Sequence, residues 1–158
     1  MLQLSARAKL LGPLISQVGN FDLSTFPGRL TFQKTVYLLQ AFGFYIGYRF
    51  TWYLYGPYSP ELTRDGFDLA PVITGLPLVA FSSVESERRF REFLIFLDPI
   101  KADSKRLELV ASLHFLRRVH PEWTNERIRR TLKEKQPYFD DLLIDEAEAR
   151  VLASGLAN

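Results

Sequence analysis

The chain has no cysteine. Disulfide frameworks, thiolate metal sites and cysteine nucleophiles are therefore excluded together. Histidine is scarce, with only His114 and His120. Neither has a carboxylate at metal-ligand spacing. No metal site and no cofactor is expected. Glycine never clusters ahead of a helix with a lysine, so there is no phosphate loop. No serine sits in a nucleophile elbow. No apolar run approaches the about 20 residues of a membrane span. The most hydrophobic stretch, Val36 to Trp52, is broken by Gln40, Arg49 and two glycines. The first residues carry Arg7, Lys9 and Pro13 and do not form an export signal. A cytoplasmic protein without a membrane partner is expected.

What is abundant is aromatic: 13 phenylalanines and 7 tyrosines in 158 residues. Such a content fills a core and often furnishes an interaction surface. The length suits one domain, residues 1–158. The small positive net charge decides little. Its distribution decides more: Arg88 to Lys135 is basic and Asp140 to Glu148 acidic.

Periodicity predicts a mainly α (α+β) fold, with about six to seven helices and a small antiparallel hairpin. Helices are predicted over 5–18, 29–42, 60–69, 87–97, 104–119, 125–135 and 140–153. Pro13 should kink or interrupt the first, and Pro27-Gly28 should open the second. That second helix is apolar on most of its circumference, as a central helix would be. Gln33, Tyr37 and Gln40 form its narrow polar stripe, with Lys34 at the edge. Tyr48 to Leu54 alternates with a period of two and predicts a strand. Gly56-Pro57 should end that strand, and Leu78 to Phe81 should pair with it. Ser59 is placed as an N-cap, Pro60 as the first helical residue, and Glu61 near the positive end of the helix dipole.

Three features invite a chemical function. Glu61, Asp65 and Asp68 share a helix face, but carboxylates in the first turns of a helix mainly offset its dipole. No matched base accompanies them, so no catalytic residue is assigned and an enzyme is not expected. Arg127, Arg129, Arg130 and Lys133 lie on a basic helix after a short connection. Segment 104–135 could thus act as a helix-turn-helix on nucleic acid, which makes a DNA-binding regulator the alternative function. Tyr55 and Tyr58 flank a sharp turn, next to the stripe of the central helix. Tyrosines suit protein interfaces because each adds a large apolar area and one polar tip.

Leu30, Gln33, Lys34, Tyr37, Leu38, Leu39 and Gln40, followed by Tyr55, Gly56, Pro57, Tyr58, Ser59, Leu62 and Asp65, form a pattern. It resembles the Panacea family of SocA-type antitoxin domains, in its YwgA-like branch. The resemblance implies a non-enzymatic, antitoxin-like or defence-associated regulator. Its partner would be a toxin or effector protein encoded nearby. On this chain the residues expected to bind the partner are Gln33, Lys34, Tyr37, Gln40, Tyr55 and Tyr58, with Glu61 and Asp65 on the acidic helix face beside them. Gly56, Pro57, Ser59 and Pro60 would build the turn and cap.

Overall fold

The computed structural model describes residues 3–156. In chain order these form α1 (Ala6–Ile15), α2 (Phe26–Ala41), β1 (Thr51–Tyr53), β2 (Gly56–Tyr58), α3 (Pro60–Leu69), α4 (Val84–Leu97), α5 (Ser104–Val119), α6 (Asn125–Lys135) and α7 (Asp141–Ser154). A short 3-10 turn spans Ile73–Gly75. The architecture is mainly α, with one two-stranded antiparallel sheet. No helix among the described residues is long and apolar enough to cross a membrane.

Two helices make the centre. α2 buries every residue from Phe32 to Leu39, and α5 buries every residue from Leu107 to His114. A helix buried on all sides must find internal partners for its polar side chains. On α2 these are Gln33, Lys34 and Thr35; on α5 they are Glu108, Ser112 and His114. The two helices pack on each other, with α6 and α7 against α5, and α1 and α3 against the α2 side. The hairpin seats its second strand between α2 and α5.

Caps set most boundaries. Ser59 accepts from the Leu62 N–H, Thr124 from Arg127 and Asp140 from Leu143. Thr25 caps α2 by accepting from the Gly28 N–H, so the helix begins before the predicted Pro27-Gly28 opening. Pro27 falls in the first turn, where its missing N–H costs nothing. Pro13 does not break α1, which continues to Ile15. It sits so near the end that only one hydrogen bond is forfeited.

The hairpin departs from expectation. Gly56 and Pro57 do not end the sheet; they are its second strand. The register is Thr51 with Tyr58, Trp52 with Pro57 and Tyr53 with Gly56. Leu54 and Tyr55 form a two-residue turn. In such a hairpin the closing pair is hydrogen-bonded and the next is not. Pro57 therefore occupies a position that requires no N–H toward β1. Leu78 to Phe81 forms no strand. Its Phe81 ring instead packs on Phe44 and Phe90.

Candidate functional site

The polar stripe of α2 is a clamp on the chain that follows it. The Gln33 amide donates to the Ser59 carbonyl at 2.8 Å and accepts from the Ser59 N–H at 3.0 Å. Its amide nitrogen also donates to the Thr63 hydroxyl. The next residue, Lys34, donates from Nζ to the Pro57 carbonyl at 2.8 Å. At the other end of the stripe, Gln40 Oε1 accepts the N–H groups of Ile46, Gly47 and Tyr48. Its amide nitrogen donates to the Tyr48 carbonyl. The Tyr37 hydroxyl bonds His114 Nδ1 of α5 at 2.7 Å. All four side chains spend their polar ends inside the molecule, and Gln33, Lys34 and Tyr37 are buried.

Gly56 shows why the turn needs a glycine. Its φ is +92°, in the left-handed region, and a Cβ there would run into the Ser112 hydroxyl of α5. Backbone of β2 and side chain of α5 meet without space for another carbon. Beneath this contact lies a polar cluster that the sequence did not announce. Burial pulls the Lys34 amine down to about 8, against the favourable charge of Glu108. Burial likewise pushes the Glu108 carboxyl up, against the hydrogen bond from Tyr138 and the positive charges of Lys34 and Lys135. Tyr138 donates to Glu108 Oε1 at 2.6 Å, while Glu108 Oε2 and the Ser112 hydroxyl have no partner among the described residues. Gln136 donates to the Leu54 carbonyl and so ties the hairpin turn to the end of α6.

Asp65 is buried and is a structural acceptor for two segments, the start of α1 and the chain before β1. It takes hydrogen bonds from Ser5 Oγ at 2.8 Å and Tyr48 Oη at 2.7 Å, with Arg7 Nε 3.9 Å away. Glu61 is turned elsewhere. It accepts from the Ser59 hydroxyl, and this bond, after one from its own backbone, holds its carboxyl below the usual range. Glu61 and Asp65 therefore have separate partners and form no joint acid-base pair.

What remains at the surface is aromatic. Tyr58 is half-buried and takes a hydrogen bond from Thr63. Tyr55 is exposed and meets the edge of Phe26, with ring centroids 4.9 Å apart. Phe26, Tyr53, Leu54 and Tyr55 are 48%, 55%, 63% and 37% exposed. With Tyr58 they surround a cleft of about 220 Å³ whose cations are Arg29 and Lys34. Of the eight residues expected to bind a partner, Tyr55, Tyr58, Gln33 and Lys34 line this cleft. Tyr37, Gln40, Glu61 and Asp65 do not. Phe26, Tyr53 and Leu54 complete the surface and escaped the sequence analysis. Their exposure depends on the hairpin turn falling at Leu54-Tyr55.

The basic helix is partly neutralised. Arg129 pairs with Asp141, Asp145 and Glu148 of α7, and Lys133 pairs with Asp141. Arg127 lies over the Trp123 ring at 4.0 Å, and Arg130 is exposed. The four cations thus do not present a single field. His120 stacks on Trp123 with centroids 3.7 Å apart.

Comparison with protein-family models, curated proteins and solved structures finds no match to this chain.

Proposed function

We propose that this chain is a non-enzymatic, antitoxin-like regulator of the Panacea type that acts by binding a partner protein. The partner would be a toxin or effector encoded nearby. The supporting observation is the exposed aromatic face around the hairpin turn: Phe26, Tyr53, Leu54 and Tyr55 beside a cleft. Large apolar side chains grouped around a concave site are the usual anchor of a protein interface. Rigidity adds to this. The turn is held from behind by Gln136 and from below by Lys34 and Gln33, so docking would order little new chain.

The docking residues proposed are Phe26, Tyr53, Leu54, Tyr55 and Tyr58. Gln33, Lys34, Tyr37, Gln40 and Asp65 serve as the frame that holds them. The test is co-expression with the product of the adjacent reading frame. The tagged chain should co-purify with it and relieve its toxicity. Leu54→Asp combined with Tyr55→Asp should abolish both effects at an unchanged Tm. A variant that still rescues growth would remove the hairpin face from consideration.

A further inference from the structure

We propose that the cavity between the end of α5 and the start of α6 binds the phosphate of a nucleotide, free or within a strand. It is built by residues that the hairpin cleft does not use. The cavity measures about 770 Å³. That is the size of small-molecule sites in general and more than a lone anion needs.

Its charged lining is cationic: Arg117 and Arg118, with no carboxylate among the lining residues. Arg117 and Arg118 have no ion pair among the described residues, unlike Arg129 and Lys133. Glu122 sits 3.5 Å from His120 Nδ1 and is itself well exposed. The start of α6 also contributes. Asn125, its first residue, lines the cavity. Thr124 caps the Arg127 N–H, so the N–H groups before it stay available to an anion.

Cations in the last turn of a helix need no ligand to explain them, since they offset its dipole. His114 is a separate observation. It is only 7% exposed, yet its ring borders the cavity. Its Nδ1 is engaged by the Tyr37 hydroxyl, and Nε2 has no partner among the described residues. Among the described residues Tyr37 has no other acceptor for its proton, which favours donation to Nδ1 with the imidazole proton on Nε2. The result is a neutral N–H donor, locked by its neighbour, behind two free guanidinium groups. Burial, then Arg118 and Arg117, pulls His114 down to about 4, so the ring stays neutral near pH 7. Donors without acceptors, two of them planar forks, match phosphate oxygens. The remaining wall, Ile128, Leu156 and the stacked His120–Trp123 pair, offers an apolar and aromatic face to a base.

The intact chain would be titrated with adenosine monophosphate, adenosine, inorganic phosphate and a short single-stranded RNA. Calorimetry and the His114 ring resonances give the readout. The monophosphate should bind about tenfold or more tightly than adenosine or inorganic phosphate. Arg117→Gln with Arg118→Gln should cost about tenfold or more. Asn125→Asp, an exposed change that adds a repelling charge, should weaken binding at an unchanged Tm. RNA binding that falls with salt more steeply than about one phosphate's worth assigns the site to a strand; a mononucleotide of equal affinity assigns it to a free nucleotide. Adenosine or inorganic phosphate binding as well as the monophosphate would overturn the assignment. So would affinity unaltered by the arginine pair, or no response to any probe at about 10 mM.

Discussion

Gly56 concentrates two demands in one residue. It takes a left-handed conformation and lets the Ser112 hydroxyl approach where a Cβ would stand. Gly56→Ala should therefore cost about 2–4 kcal/mol, measured by urea unfolding, from backbone strain and overpacking together. Gly43 is also left-handed but has nothing near its missing side chain. Gly43→Ala should cost about 1 kcal/mol, because only the strain operates. His114 makes a prediction about pH. In the unfolded chain it titrates near its ordinary 6.5, and in the fold at about 4. Between these values the unfolded chain holds a proton that the native chain lacks, so acid favours unfolding. The contribution of His114 is intact above about pH 6.5 and is lost as pH falls toward 4, by about 3 kcal/mol in all. His114→Asn should flatten that part of the stability curve.

Between elements, the α6–α7 seam depends on Arg129 and its three carboxylates. Arg129→Ala should cost about 1 kcal/mol, and the loss should shrink as salt is added, since the Asp141 and Asp145 carboxylates are largely exposed. Element boundaries were legible wherever a cap or a proline acted locally. The bounds of α3, α5 and α6 follow from Ser59 with Pro60, from Ser104 to the His120-Pro121 stop, and from Thr124 to Pro137. The hairpin was legible only in its first strand, where Thr51, Trp52 and Tyr53 carry β-forming side chains. The second strand is glycine, proline and tyrosine, and no local propensity marks it. Lys34 bonds its Pro57 carbonyl, Gln33 ties down Ser59 just after it, and Ser112 packs on Gly56, all from elements far along the chain. The site divided in the same way. Tyr55 and Tyr58 stood out by type. The burial of Asp65 and Lys34 depends on Ser5, Tyr48 and Glu108, which no spacing rule connects to them. The outward direction of Leu54 depends on which two residues turn.

For the molecule as a whole, stability should be graded outward from α2 and α5. Their buried stretches, 32–39 and 107–114, should exchange with deuterium only through global unfolding. Residues 70–83 hold one 3-10 turn, few buried side chains and no strand, and should exchange first. Mass-spectrometric exchange would check this order. Equal protection of 70–83 and α5 would contradict it.

The bond from Gln136 to the Leu54 carbonyl joins residues 82 positions apart. On the ribosome this separation becomes a delay. At about 5–20 residues per second, Gln136 is added about 4–16 s after Leu54. Through that interval the α5 surface that receives β2 is still being made, and the aromatic turn has no backing. A nascent chain thus carries its most adhesive segment before it can brace it. This protein would be most exposed to mispairing, or to a chaperone, in the seconds between the addition of Leu54 and that of Gln136.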